Sequence, residues 1–287
     1  MPELPEVETV RRGLAPVLEG ATIRSVRLAR RDLRIPFPPR FEKRLTGAAV
    51  SSLLRRGKFL IANLSTGESL LMHLGMTGRF TLTDGAARGT GDFYYAAPPD
   101  PAHDHVAFGL DRRGRRYSLV YNDVRRFGLM DLAPTAALND CPHLAGMGPE
   151  PLSAEFGPAH LGQSLKGRSA PIKTALLDQR IVAGLGNIYV CEALYRAGVS
   201  PCRKAGAVRG AAIRRLCGAI IAVLEEGIAA GGSTLRDFAG ADGTIGGFQE
   251  RFNVYDREGA PCEACRNPVR RIIQSGRSTF FCSVCQR

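Results

Sequence analysis

The chain has 287 residues, of which 44% are hydrophobic and 23% charged. This length accommodates two ordinary domains, and the apolar fraction suffices for a sizeable core, so global disorder is excluded. Lysine and arginine together number 39 against 27 acidic residues, which leaves a formal charge of +12. An excess of this size predicts a polyanionic partner, with nucleic acid the leading candidate, although an arginine-rich genome would explain part of the bias.

Membrane-spanning and secreted proteins are excluded on similar grounds. The longest apolar run near a predicted helix, residues 216–224, is far short of the roughly 20 residues that span a bilayer. The N-terminal segment is acidic and lacks the apolar stretch of a secretory signal. Four of the eight cysteines are scattered, which does not suit the disulfide framework of a short secreted domain. We therefore expect a soluble, cytoplasmic protein without a membrane partner.

The first predicted element is a helix that starts near Pro5 and stops at Gly20. Its apolar residues recur at helical spacing: Val7, Val10, Leu14 and Leu18. From residue 21 to about 132 the pattern changes to short β-type runs between turn residues, which is typical of a sandwich or barrel. The clearest runs are 23–28, 59–64, 69–74, 79–83, 106–110 and 117–121, with turns at 65–68 and 113–115. A long loop rich in glycine, proline and alanine is expected at 84–104.

The second half of the chain is predicted to be helical. A boundary falls at residues 148–151, and helices are expected at 172–178, 187–197 and 208–230. Residues 184–187 are glycine-rich and precede the second of these helices, where backbone N–H groups could bind a DNA phosphate. The same residues would also make an ordinary tight turn between helices. A glycine-rich loop at 230–247 leads into the last segment.

Four cysteines in the last segment predict a metal site. The spacing of Cys262 and Cys265, then of Cys282 and Cys285, matches two knuckles of a zinc ribbon that complete a tetrahedron. Four thiolates leave no open position, so one structural zinc ion is expected, with a redox pair or an iron–sulfur cluster as alternatives. The intervening segments, 269–274 and 278–281, predict a hairpin around 275–277. Its basic residues, Arg270, Arg271 and Arg277, are expected to touch DNA.

The N-terminus carries a candidate nucleophile. Removal of Met1 would expose Pro2 as a secondary amine, and an α-amino group titrates at about pH 7.7–8.0. Attack of such an amine on a sugar C1′ yields an iminium that acts as an electron sink. Glu3 and Glu6 could serve as proton donor and as stabiliser of positive charge. The same segment would also make a plain helix start with acidic residues in its first turn.

Six motifs together resemble bacterial formamidopyrimidine-DNA glycosylase, the family of repair enzymes that excise oxidised purines. They are PELPEVET (2–9), RGKFL (56–60), HLGMTG (73–78), DVRRFG (123–128), GLGNIY (184–189) and GRSTFFC (276–282). The resemblance implies a multi-domain α+β fold. Its parts would be an N-terminal β-sandwich with flanking helices at 1–134, a helix–two-turns–helix domain at 150–248 and a C-terminal β-hairpin zinc finger at 249–287.

The resemblance also implies catalytic roles for five residues. Pro2 would be the Schiff-base nucleophile, and Glu3 the acid that assists base loss and ring opening. Glu6 would hold the sugar and stabilise charge. Lys58 would contact the target phosphate and donate a proton in β-elimination, which suits a lysine better than an arginine. Arg277 would act electrostatically in δ-elimination, because a guanidinium seldom donates a proton.

A second set of residues is implied to bind double-stranded DNA with an oxidised base or an abasic site, in a monomeric enzyme. Met76, Arg125 and Phe127 would fill the gap left by a flipped-out nucleotide. From their strand-like context alone, Met76 and Phe127 would be core residues. Contacts with the DNA backbone would be made by five residues, of which Arg125 belongs to both sets: His103, Arg125, Arg168, Lys173 and Asn187.

Two departures from the family pattern affect specificity. Val124 stands where many relatives have proline, which we expect to alter the pitch of the gap-filling loop. Gly247 stands in the expected damaged-base lid, 242–248, where bulkier residues are common, which should loosen the lid. The closest alternative is an endonuclease VIII-like enzyme for oxidised pyrimidines, against which Leu4 and the Arg125–Phe127 element argue. A catalytically silent zinc-dependent DNA-binding protein is the alternative from another class.

Overall fold

The structure is a computed structural model that describes residues 1–84, 100–233 and 246–287. Most of the expected loop at 84–104 and of the expected lid at 242–248 therefore lies outside the described residues. The described part of the chain forms two compact units. The first contains described residues of 1–145 and 230–247, and the second contains 146–229 and 248–287. The three-domain division from the sequence stays a prediction.

Helix α1 spans Leu4–Leu18 and confirms the first predicted element. Its inner face is apolar because Val7, Val10, Leu14 and Leu18 recur at helical spacing, and all four are buried. The helix stops before Gly20, whose φ of 81° lies in the left-handed region. This packing positions the first residues of the chain against the core of the first unit.

Two four-stranded antiparallel sheets form the predicted β-sandwich. The first sheet has the order β1 (Thr22–Leu28), β6 (Asp104–Arg112), β7 (Arg115–Asn122), β5 (Arg79–Thr83). The second has the order β2 (Val50–Arg56), β3 (Phe59–Leu64), β4 (Glu68–His73), β8 (Leu129–Pro134). A short helix, α2 (Phe41–Leu45), packs against β1. The shared core includes Leu60, Met72, Phe80 and Tyr121.

The second unit contains four α-helices among its described residues: α3 (Pro158–Leu165), α4 (Ile172–Leu176), α5 (Asn187–Arg196) and α6 (Ala211–Ala229). The last three confirm predicted helices, and α3 was not predicted. Helices α5 and α6 pack together, and Gly227 allows this approach because a Cβ there would lie 2.5 Å from the ring of Tyr189. No helix of the described residues is long and apolar enough to cross a membrane.

A two-stranded hairpin ends the second unit. Strand β9 (Arg270–Gln274) pairs with β10 (Arg277–Phe281) around a turn in which Ser275 and Gly276 have positive φ. Its own apolar core is small and includes Val254, Val269 and Phe280 together with cysteines. A core of this size needs another source of stability, such as a metal ion.

Candidate active site and nucleic-acid interface

The N-terminal residues form a buried corner of the first unit. Pro2 is buried, and Glu3 and Glu6 are 3% and 2% exposed. The backbone N–H of Glu3 donates to Glu6 Oε2 at 2.9 Å, the reciprocal contact of a capping box at a helix start. The structure therefore brings three of the predicted catalytic residues together at the first turn of α1.

Glu6 is held from the other side by Ser233, which belongs to the same unit. Glu6 Oε1 accepts the Ser233 backbone N–H at 2.7 Å and its hydroxyl at 3.1 Å. Gly232 allows this approach, since its φ is 82° and a Cβ there would lie 3.0 Å from Glu6 Cγ. These three donors hold the Glu6 carboxylate in place, which fits its predicted role in stabilising positive charge on the sugar. Ser233 had no signal in the sequence.

The turn that carries Lys58 is joined to the same helix by a partly buried ion pair between Arg55 and Glu8. It lies in the turn between β2 and β3 and is 6% exposed. Arg55 donates from Nε to Glu8 Oε2 at 3.2 Å and from a terminal nitrogen to the Gly57 carbonyl at 3.0 Å. Glu8 projects from α1, so one guanidinium joins this helix to the residue before Lys58.

His73, the last residue of β4, lies beside this turn. It pairs with Phe59 across the sheet, with ring centroids 4.9 Å apart. Burial and the positive charges of Lys58 and Arg34 lower the pKa of His73 from 6.5 to about 4. His73 is therefore neutral at pH 7, and its Nδ1 accepts the Gly75 N–H at 3.0 Å. Sequence reasoning missed this residue, although it opens the HLGMTG motif.

The three predicted gap-filling side chains lie on two adjacent loops. Met76 follows β4 and is 38% exposed, while Phe127 precedes β8 and is 45% exposed. The expectation from strand context alone, that both are core residues, is wrong because both lie in loops outside the strands and are exposed. Arg125 is also exposed, and its guanidinium carbon lies 4.7 Å from the centre of the Phe127 ring. Cation–π contact of this kind orders both side chains on the surface.

His103 ends a short 3₁₀ helix just before β6. It is half-buried, and its carbonyl accepts the backbone N–H of Asp123 at 3.1 Å. His103 is therefore attached to the loop that carries Arg125. Its predicted contact with the DNA backbone stays a prediction.

In the second unit, two predicted DNA contacts converge on the zinc-finger hairpin. Lys173 Nζ donates to the Ser278 carbonyl at 3.2 Å, and Asn187 Nδ2 donates to the same oxygen at 2.9 Å. Lys173 is fully buried. Both side chains thus hold the residue that follows Arg277, and their contact with DNA phosphates stays a prediction.

Arg168 and Arg277 line one cavity of about 410 Å³ in the second unit. Both arginines are exposed. Asp178 also lines this cavity, and one of its oxygens lies 4.0 Å from a terminal nitrogen of Arg168. Two guanidinium groups at one concave surface suit a phosphate-bearing strand.

The four predicted ligands form a metal-binding cluster, in which one sulfur atom from each residue lies within 4.8 Å of the others. The Cys262 and Cys285 sulfurs are 3.9 Å apart, and those of Cys265 and Cys282 are 3.4 Å apart. A tetrahedral zinc ion with Zn–S distances of about 2.3 Å requires sulfur separations near 3.8 Å, so the residues fit the ion. Because four sulfur ligands leave no open coordination position, the cluster is a site for one structural zinc ion.

Comparison with protein-family models matches most of the chain in three segments. Residues 1–130 match the formamidopyrimidine-DNA glycosylase N-terminal domain, and residues 147–239 match its H2TH domain. Residues 259–287 match the zinc finger found in FPG and IleRS. These matches agree with the sandwich, the helical region and the cysteine hairpin of the structure.

Individual relatives support the same assignment. A formamidopyrimidine-DNA glycosylase of Methylobacterium nodulans is 57% identical and covers 100% of this chain and 99% of its own length. The structure resembles the MutM (Fpg) protein of Thermus thermophilus, which is 41% identical over 99% of this chain and 98% of that one, with a TM-score of 0.84.

Two complexes from Lactococcus lactis, each 33% identical over the whole of both chains, add bound DNA. A mutant Fpg with Fapy-dG-containing DNA has a TM-score of 0.86, and the wild-type Fpg with oxidised-pyrimidine-containing DNA has a TM-score of 0.85. The resemblance seen in the sequence motifs is confirmed by family models, relatives and fold alike. The chain therefore belongs to the formamidopyrimidine-DNA glycosylase family.

Proposed function

We propose that this protein is a monomeric DNA glycosylase and AP lyase of base-excision repair that removes oxidised purines, namely 8-oxoguanine opposite cytosine and formamidopyrimidines. The observation that carries the proposal is the buried corner at Pro2, Glu3 and Glu6. Family membership adds the substrate class. The enzyme acts on double-stranded DNA in the cytoplasm, at the nucleoid.

Catalysis begins with the nitrogen of Pro2. Met1 is 44% exposed, so an aminopeptidase can reach it, and its removal leaves a secondary amine at the buried corner. The amine attacks C1′ of the damaged nucleotide and loses its proton, and the glycosidic bond breaks as the base leaves with the electron pair and takes up a proton. Protonation of the ring oxygen O4′ then breaks the C1′–O4′ bond and leaves an iminium between the Pro2 nitrogen and C1′. Glu3 assists base loss and ring opening, and Glu6 stabilises the positive charge that develops on the sugar.

The lyase steps use the iminium as an electron sink. Loss of a C2′ proton expels the 3′ phosphate in β-elimination, and a second elimination expels the 5′ phosphate. Lys58 contacts the target phosphate and donates a proton, as its buried place beside α1 suits. Arg277 stabilises the phosphate charge in the second step.

DNA binding uses residues of both units. Met76, Arg125 and Phe127 fill the gap in the duplex, and Arg125 reads the base opposite the lesion. His103 and Arg168 contact the backbone. Lys173 and Asn187 contact it as well, close to the hairpin that they hold through Ser278. The zinc ion keeps that hairpin folded.

Borohydride trapping tests the proposal. Duplexes with 8-oxoguanine opposite cytosine, with thymine glycol and with an abasic site are incubated with the enzyme, and the reduced adduct is located by peptide mapping. We expect an adduct on Pro2 and a higher yield with 8-oxoguanine than with thymine glycol. Yields are compared because the L. lactis relative is also seen with oxidised-pyrimidine DNA.

Each other outcome of the trapping has a definite meaning. A higher yield with thymine glycol would favour an endonuclease VIII-like enzyme. No adduct on any duplex would favour a catalytically silent DNA-binding protein. Intact mass is measured alongside, because a retained Met1 would remove the proposed nucleophile.

A further inference from the structure

A fully buried carboxylate lies directly beneath the exposed gap-filling residues. Asp123 has no solvent exposure, and its Oδ2 accepts the Gly128 N–H at 2.9 Å and the Tyr121 hydroxyl at 3.2 Å. Its Oδ1 accepts the hydroxyl of Thr77. The pKa of Tyr121 is raised by burial and by the negative charge of Asp123, so the phenol remains a donor at neutral pH.

Thr77 joins the two loops. While its hydroxyl donates to Asp123, the same oxygen accepts the backbone N–H of Arg125 at 3.1 Å. One side chain from the Met76 loop therefore fixes the backbone of the residue that reads the opposite base. The Asp123 carbonyl also accepts the Arg126 N–H at 3.3 Å and lies 2.9 Å from His105 Nε2.

The loops also touch backbone to backbone. A Cβ on Gly75 would overlap the carbonyl carbon of Phe127, and a Cβ on Gly128 would overlap the Tyr121 hydroxyl. Close packing of this kind leaves the two loops one common arrangement. Val124, by contrast, is 57% exposed, so its side chain is not what holds the loop.

The arrangement inverts the usual distribution of polar and apolar groups. Met76 and Phe127 are on the surface, whereas the carboxylate of Asp123 is inside. Carboxylates are almost never fully buried unless paired, and exposed large apolar residues that lie together mark binding surfaces. We propose that Asp123, Thr77 and Tyr121 form a positioning cluster for the gap-filling residues. The cluster fixes the relative positions of Met76, Arg125 and Phe127 and thereby determines how the enzyme discriminates between bases opposite the lesion. This inference rests on the proposed function.

The test uses Thr77→Val, which keeps the shape of the side chain and removes its hydroxyl. Excision of 8-oxoguanine is measured under single-turnover conditions with cytosine or adenine opposite. We expect the preference for cytosine to fall roughly tenfold, the scale of one lost base-reading contact. Borohydride trapping on a single-stranded abasic oligonucleotide, which has no opposite base to read, should equal that of the wild type. Thr77→Ser should restore the preference, and Val124→Ala should leave it unchanged.

An unchanged preference in Thr77→Val would overturn the inference. Equal loss of excision and of single-strand trapping, with a lowered Tm, would also overturn it, because the cluster would then serve only stability. Tyr121→Phe provides a second variant, in which one donor to Asp123 is lost and the ring is kept, and the same fall in preference is expected. Failure of the proposed function itself is distinct, since the wild type would then neither excise nor trap.

Discussion

The buried corner at Pro2 and the zinc-finger hairpin place functional groups in opposite ways. At the corner, Glu3 and Glu6 are shielded from water and joined to each other through the backbone. In the hairpin, Arg277 projects into solvent, and its neighbour Ser278 is held from beneath by Lys173. This difference suits the proposed roles, because proton transfer benefits from a fixed site shielded from water, whereas a phosphate of bound DNA is contacted by an exposed side chain.

The two regions also differ in what keeps them folded. The corner rests on α1, which packs into the large apolar core of the sandwich. The hairpin has few buried apolar residues, among them Val269 and Phe280, and adds a metal ion. A small module can therefore be stable without a large apolar core, but its stability then depends on zinc.

The largest expected effect comes from Pro2→Gly. Base excision and strand cleavage should fall together by roughly 10³-fold or more, because one amine serves both steps. Quantitative cleavage of an 8-oxoguanine duplex, with and without alkaline treatment of the product, measures the two steps separately. Pro5→Ala, a buried first-turn proline of the same helix, is the control and should retain activity. Selective loss of only one step in Pro2→Gly would contradict the role of Pro2.

Loss of zinc should perturb the hairpin and leave the buried corner intact. Chelation, or Cys262→Ser, should weaken DNA binding by roughly 10²-fold or more, since the hairpin loses the ion that folds it. Circular dichroism should still show the β-sandwich. Cys202→Ser is the matched control, because Cys202 is exposed and lies outside the cluster. Tight binding after complete zinc removal would refute the role of the hairpin.

Salt should weaken DNA binding by about 10²-fold between 50 and 200 mM, because each phosphate contact releases counterions. Titration of a fluorescent lesion duplex at several salt concentrations measures this slope. Arg168→Ala should lower the slope by about one. A flat salt response would show that the +12 charge does not act through phosphate contacts.

The smallest effect concerns acid stability near the corner. Burial alone would raise the pKa of Glu8, but hydrogen bonds from Arg11 and Arg12 and the charge of Arg55 lower it from 4.5 to about 2. Since the unfolded chain takes up this proton at higher pH than the folded one, the stability from Glu8 is complete above pH 4.5 and is lost as the pH falls towards 2. Denaturant unfolding should show a loss of about 1–2 kcal/mol, less than the full shift because Arg12 is exposed.

Two variants separate the pH-dependent loss of stability due to Glu8 from that due to His73. The folded-state pKa of His73 is about 4 instead of 6.5, so its contribution lowers stability as the pH falls from 6.5 to 4. Glu8→Gln should remove only the loss below pH 4.5, and His73→Gln only the loss above pH 4. The same pH dependence in both variants and the wild type would rule out these assignments.

Strong local patterns were enough to predict several elements. The apolar period of α1, the runs of β3 and β5 and the two knuckles of the hairpin all appear where the sequence placed them. Strand β2 was not singled out, because Ser51, Ser52 and Arg55 interrupt its apolar residues and its pairing with β3 stabilises it from outside. Helix α3 has only eight residues, two of them glycine or proline, which weakens its helical signal.

The sequence by itself determined the family and predicted the chemistry-bearing residues, because the expected nucleophile, carboxylates, lysine and cysteines stand in short motifs that can be read locally. Tertiary structure decided which partners hold them. Ser233 on Glu6, Arg55 on Glu8 and Thr77 on Asp123 join residues between 46 and 227 positions apart. Pairings over such distances depend on the packed core that brings the segments together, so neither periodicity nor spacing reveals them.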